Sequence, residues 1–130
     1  MNNNFLSKRA FGDIGENSAV NFIENKGYEI LCRNYTCRGG EIDIICSKEQ
    51  YLCFIEVKTR TDDCKTRSAL LSVDEKKRKC IFNALDNFLN EYSDNAYITS
   101  LIPRFEIIEV YFDKNKKVLI NHNISDNFFD

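Results

Sequence analysis

The segment from Gly39 to Arg60 reads GGEIDIICSKEQYLCFIEVKTR, two apolar runs joined by the polar tetrapeptide SKEQ. Short apolar runs bounded by turn residues mark a β-hairpin, and strands this apolar must be covered by other elements. The hairpin therefore dictates what the rest of the chain has to supply. Its charges are the anomaly: Glu41, Asp43, Glu56 and Lys58 stand inside runs that ought to be burying themselves. Side chains alternate along a strand, so Glu41, Asp43 and Ile45 are expected on one face and Ile42, Ile44 and Cys46 on the other. On the second strand Leu52, Phe54, Glu56 and Lys58 share a face. A turn at Lys48 and Glu49, or one residue later, sets Asp43 on the face of Glu56 and Lys58, with neighbours within about 5 to 8 Å.

That face is apolar toward the turn and charged at its open end. A solvated face with a cross-strand salt bridge is one account. The other is a partly covered cleft in which two carboxylates repel and raise each other's pKa until a cation neutralises them. Mg²⁺ or Mn²⁺ prefers such oxygen ligands and keeps several waters. Two further residues raise the same question. Glu16 falls within the stripe of Gly12, Ala19, Val20 and Ile23 on a first helix, and a buried carboxylate must be paired or neutralised. Lys77 occupies a stripe position on a second helix, where it either snorkels or faces a site.

Around the hairpin, the periodicities predict a helix capped near Ser7 and running to about Lys26, where Gly27 stops it. YEILCRNY then reads as a strand. After the hairpin strands EIDIIC and YLCFIEVKT comes the polar loop RTDDCKTRS, followed by a helix from near Asp74 to about Tyr92. Its stripe of Val73, Lys77, Ile81, Ala84, Leu85, Phe88, Leu89 and Tyr92 has to pack on a sheet. A loop around SDNAYITSLIP, a strand RFEIIEVYFD, a turn KNKK and a shorter strand VLINH complete the chain. The order is that of a single α/β domain over residues 1–130, a mixed sheet flanked by helices, and 43% hydrophobic residues suffice for its core.

The six cysteines (Cys32, Cys37, Cys46, Cys53, Cys64 and Cys80) form no C-x-x-C pair and no zinc spacing, and the one histidine, His122, lies in a polar tail segment. They read as reduced, largely buried thiols. No 18-residue apolar run or signal-like block is present, so a cytoplasmic location without a membrane partner is expected. The net charge of −2 argues against electrostatic coating of nucleic acid, yet residues 58–79 hold 8 basic and 4 acidic residues, including KKRK.

Asp43 followed by Glu56-Val57-Lys58 on the next strand resembles the D…(D/E)-x-K signature of the restriction endonuclease-like superfamily. GDIGENSAVNFIENKGYEILCRNY, RGGEIDIIC, FIEVKTR and RFEIIEV, together spanning roughly Gly12 to Val110, are similar to the YraN-like family of small bacterial proteins, which carries that fold. The resemblance implies a core of helix, three strands, helix and strand. It implies that Asp43 and Glu56 bind Mg²⁺ or Mn²⁺, that Lys58 orients or activates the attacking water, and that the catalytic set includes Glu16. The chain departs from the pattern in having Ile42 where the superfamily has proline, no glycine after VKTR, and Glu106 where Asp is commoner. The expected activity is metal-dependent hydrolysis of nucleic-acid phosphodiesters, DNA above all and branched or repair-intermediate DNA among its forms. Arg60, Lys65, Arg67 and Lys77 with the rest of KKRK would hold the backbone. A non-catalytic nucleic-acid-binding adaptor on the same fold is the alternative, and a homodimer is compatible with either.

Overall fold

A computed structural model describes residues 7–61, 73–113 and 118–130. Helix α1 (Lys8–Glu24) is followed by strands β1 (Glu29–Cys37), β2 (Gly40–Lys48) and β3 (Tyr51–Thr61). Helix α2 (Glu75–Glu91), a short helix α3 (Ala96–Ser100), and strands β4 (Ile102–Phe112) and β5 (Val118–Ser125) follow. The expected helix starts hold because of their caps: Ser7 Oγ accepts the Ala10 amide, and Asp74 Oδ1 accepts that of Lys77. Helix α3 falls in the segment expected to be a loop. Asn95 caps it by accepting the Ile98 amide, and the turn drops Ile98 and Leu101 into the core.

The five strands form one sheet in the order β1-β2-β3-β4-β5, antiparallel except for the parallel pair β3 and β4. Parallel neighbours need a crossover connection, and α2 lies in it. This is the mixed, helix-flanked sheet of a restriction endonuclease-like core, with β5 extending from Val118 past His122 to Ser125.

Each face of the sheet has its own apolar layer. On one, Ile45, Leu52, Phe54, Phe105 and Ile107 meet Ile81, Ala84 and Phe88 of α2. On the other, Ile44, Cys46, Ile55, Ile108 and Val110 meet Ala19, Val20 and Ile23 of α1. Full burial of a side chain such as Phe54 or Ile55 stabilises by about 1.5 to 3 kcal/mol, so these layers, not helix propensity, hold both helices in place. Phe128 and Phe129 after β5 close the α2 layer, Phe128 lying 4.2 Å from the Phe105 ring. Cys32, Cys37, Cys46, Cys53 and Cys80 are free thiols, as expected; Cys64 lies outside the described residues. Among the described residues no helix is long and apolar enough to cross a membrane.

One expectation about the faces fails. Ile42 packs with Ile45 in the α2 layer, while Ile44 packs in the α1 layer, so strict alternation is lost between them. The change falls opposite Asn34, which adopts φ 54° between the pairs Arg33–Ile44 and Tyr35–Ile42. Tyr35 and its partner Ile42 both pack in the α2 layer. Asp43, flanked by those pairs, is left at the point where the phase changes.

Two close approaches fix the helices relative to the hairpin. A Cβ at Gly15 would collide with the Thr59 side chain, so α1 lies directly on the end of β3. A Cβ at Gly40 would stand 2.6 Å from the Ala84 amide nitrogen and 2.9 Å from the Cys80 carbonyl oxygen. Gly40→Ala must therefore displace α2, and a loss of about 1 to 3 kcal/mol in urea unfolding is expected. Gly12 of the same length of α1 has nothing within 4 Å of its would-be Cβ, so Gly12→Ala gains helix propensity and is expected to raise stability by up to about 1 kcal/mol.

Candidate functional site

The β2–β3 ladder runs from Lys48 opposite Tyr51 to Ile44 opposite Ile55, around a turn in which Glu49 takes φ 54°. The turn is thus the later of the two expected registers. Beyond Ile44 the backbone pairing ends, and the Asp43 side chain takes its place: its Oδ2 accepts the Val57 amide at 2.7 Å. A short carboxylate satisfying a main-chain donor fastens Asp43 to β3 beside Glu56.

Glu56 is 4% exposed and meets two lysines. Lys77 of α2 brings its Nζ to 2.6 Å from Glu56 Oε2, and Lys58 brings its own to 3.8 Å. Lys77 also lies 3.9 Å from Glu41 Oε1, while the Glu41 side chain is 64% exposed. Burial works to lower the Lys77 pKa, but the Glu56 hydrogen bond and the charges of Glu56, Glu41 and Asp43 outweigh it and raise the pKa. Lys77 therefore does not snorkel; it is a charged partner of the acidic pair.

Among the described residues Asp43 has no cation within salt-bridge distance, and Lys77 acts on it only at longer range. Burial, then the charge and hydrogen bond of Glu56, then the charge of Glu16 push its pKa up to about 8, against the opposing Val57 amide. The predicted residues gather around Glu56 but line two different clefts. A cleft of about 450 Å³ on the α1 side is bordered by Arg9, Asp13, Glu16, Asn34, Asp43 and Thr59. A second of about 350 Å³ on the α2 side is bordered by Glu41, Lys58, Asp74, Lys76, Lys77 and Cys80. The expectation of Asp43 and Lys58 side by side on one face is corrected by the change of phase between Ile42 and Ile44: Asp43 borders the α1-side cleft and Lys58 the α2-side cleft.

Glu16 is buried, as its stripe position required, and its Oε2 accepts Arg33 Nη2 at 2.6 Å, Arg33 Nε at 2.9 Å and Asn34 Nδ2 at 3.2 Å. The inward carboxylate is thus satisfied by β1. Nothing in the sequence pattern singled out Arg33 and Asn34; the available signal was the need of a buried carboxylate for a donor on a neighbouring strand.

The expected backbone-binding cations are redistributed. Arg60 turns inward, its Nε 3.2 Å from Oε2 of the buried Glu109, which also accepts from Asn121 and Tyr111. Arg78 of KKRK lies 4.7 Å from the Phe128 ring centre and donates to the Phe128 carbonyl oxygen. Lys76 and Lys79 remain exposed. Lys65 and Arg67 lie outside the described residues.

A second polar cluster sits on the α1 side of β4. Glu106, wholly buried, binds His122 Nε2 at 2.5 Å, the Tyr28 hydroxyl at 2.9 Å and Arg104 Nε at 3.0 Å. Burial opposes ionisation, but the bonds to His122 and Cys53 and the charges of His122 and Arg104 hold Glu106 below the usual carboxylate range. His122 is therefore a buried partner of the sheet, not the tail residue its neighbourhood predicted.

With the site in view, the chain can be set beside other proteins. Residues 15–110 match the Uncharacterised protein family UPF0102. The chain belongs to the UPF0102 family. It is 36% identical to a UPF0102 protein of Caldanaerobacter subterraneus subsp. tengcongensis over 90% of this chain and 93% of that protein. It is 38% identical to one of Clostridioides difficile, over 90% of this chain and 96% of the relative. A UPF0102 protein of Carboxydothermus hydrogenoformans is 33% identical, over 90% and 94% of the two chains. The UPF0102 match takes in the site carboxylates and lysines from Glu16 to Lys77, with Arg9 and Asp13 of the first cleft lying before it, and the family resemblance drawn from GEIDII and EVKTR holds.

Among the described residues no group of three or more His, Cys, Asp and Glu side chains could hold a metal. The available donor set is the Asp43–Glu56 pair, which fits a hard ion that keeps most of its waters and does not fit an all-protein cage.

The Asp43 proton gives a measurable sign. The unfolded chain releases it near pH 4, whereas the folded protein, without a bound cation, keeps it up to about pH 8. Folded protein then binds more protons than unfolded across that window, so the Asp43 contribution to stability falls as pH rises and levels off above it. Asp43→Asn, still able to accept from Val57, is expected to flatten this decline and to be more stable than wild type at pH 8 in chelator. Urea unfolding at pH 5 and pH 8 checks it.

Proposed function

We propose that the chain is a Mg²⁺- or Mn²⁺-dependent nuclease that hydrolyses phosphodiester bonds of nucleic acid, DNA before RNA. The observation that carries this reading is the Asp43–Glu56 pair, a half-buried and a buried carboxylate brought together at the end of a hairpin, of which, among the described residues, only Glu56 is in salt-bridge contact with a cation. A divalent ion stabilises such a pair by relieving the repulsion that raises the Asp43 pKa.

Asp43 and Glu56 would hold the metal, which when bound supplies charge stabilisation for the reacting phosphate and a more acidic water. Val57 keeps the Asp43 carboxylate in place through its amide. Lys77 neutralises Glu56 Oε2 and limits the anionic excess of the site. Lys58, partly exposed in the α2-side cleft beside Glu56, would orient the attacking water or the phosphate, with Lys76 on the same rim. Glu16 takes a supporting part: clamped by Arg33 and Asn34, it borders the cleft of Asp43 and keeps that wall acidic. Phosphate contacts from Lys58, Lys76 and Lys79 would give affinity without sequence preference.

The ion pair of Lys77 with Glu56 favours a second reading, in which a lysine serves in place of a metal and the domain is a nucleic-acid-binding adaptor. Purified protein is to be incubated with Mg²⁺ or Mn²⁺ and labelled single-stranded, duplex, flap and four-way-junction DNA, and RNA. Cleavage by wild type is expected, with Asp43→Ala and Glu56→Ala each slowed at least about 100-fold and binding largely kept. Titration calorimetry with Mn²⁺ gives a second readout, since both variants should lose the ion. Undiminished cleavage by either variant overturns the assignment; metal-independent binding without cleavage favours the adaptor.

A further inference from the structure

The two outer strands of the sheet are built differently. β1 carries Glu29 and Arg33, a register break between Ile30 and Cys32, and the left-handed Asn34. Charges and irregularities of this kind keep an edge strand from pairing with another chain. β5 has none of them: Val118–Ser125 contains no Asp, Glu, Lys, Arg or Pro, and it follows β4 in unbroken register. Among the described residues no strand lies on its outer side. Three of its apolar side chains face solvent, with Val118 41%, Leu119 61% and Ile124 43% exposed.

We propose that β5 is a docking edge for a second copy of this chain, the two strands pairing antiparallel about a two-fold axis through Asn121. The inference does not depend on the nuclease reading. A two-fold axis perpendicular to the sheet keeps each face on its own side, so residues that oppose one another must come from the same face. Even-numbered residues of β5 share the α1 side, where Ile120 packs. Centring the pairing on Asn121 sets Val118 of each copy opposite Ile124 of the other, so the two exposed apolar groups of that face cover one another twice. Leu119 falls opposite Asn123 on the other face. The occupant is a second copy because the strand complements itself in this register. Its lack of formal charge leaves no like-charge repulsion at the seam.

Sedimentation velocity from about 1 μM to about 1 mM spans the range in which a small strand-pairing contact assembles. Wild type is expected to pass reversibly from monomer to dimer. Ile124→Lys, at a position already exposed, should remain folded by circular dichroism and weaken the dimer at least about tenfold. Hydrogen exchange should show β5 amides gaining protection with concentration in wild type and not in the variant. A wild type monomeric throughout, an undiminished dimer in Ile124→Lys, or a dimer without added protection in β5 each overturns the proposal.

Discussion

A single hydrogen bond, from the Val57 amide to the Asp43 carboxylate, decides how the open end of the hairpin is arranged. Backbone pairing between β2 and β3 stops one residue earlier, and a side chain takes over the role of a main-chain acceptor. An unmatched amide here would cost about 1 to 3 kcal/mol. Satisfying it with a carboxylate draws a negative group into a poorly solvated position beside Glu56. The strand ends with its polar groups paired, and the site begins with an excess of negative charge. Gly15 then lets α1 approach Thr59 closely enough for Glu16 to border the same cleft.

The cations near the site divide between inside and outside in a way that their count conceals. Residues 58–79 carry a formal excess of positive charge, which reads as a surface for polyanions. Yet Lys77 answers Glu56, Arg60 answers Glu109, and Arg78 lies on aromatic rings of the α2 layer. Guanidinium groups suit such work, because their planar faces stack and their donors fork toward carboxylates. Among the described residues of this segment, the cations left free of such partners toward the surface are Lys76 and Lys79, with Lys58 half-exposed beside Glu56.

The hairpin, both long helices and the five-strand order were legible in the sequence, since each rests on a local signal. Alternation marked the strands, an i, i+4, i+7 stripe marked α2, and Ser7 and Asp74 were in place as caps. The pairing of Asp43 with Glu56 was legible too, because it follows from the short turn. The division of the site into two clefts was not. It goes with a change of phase between Ile42 and Ile44, opposite the left-handed Asn34, and simple alternation carries no record of such a step. Partners at long range were equally hidden: Arg33 for Glu16 lies 17 residues away, and His122 for Glu106 lies 16 away on another strand. Burial of each carboxylate could be read from its apolar neighbours, but the identity of the group answering it depends on tertiary packing.

The two site carboxylates are made unequal by these arrangements. Glu56 has a lysine at contact distance, so its negative charge is met within the protein. Asp43 has a main-chain amide and two acidic neighbours, so its charge is met only in part and its proton is held to about pH 8. Glu56 lies buried against Lys77, while Asp43 is the member of the pair whose proton is held into the neutral range. An ordinary salt-bridged hairpin would have answered both carboxylates with lysines on the facing strand; among the described residues Asp43 instead meets a main-chain amide and acidic neighbours at the border of the α1-side cleft.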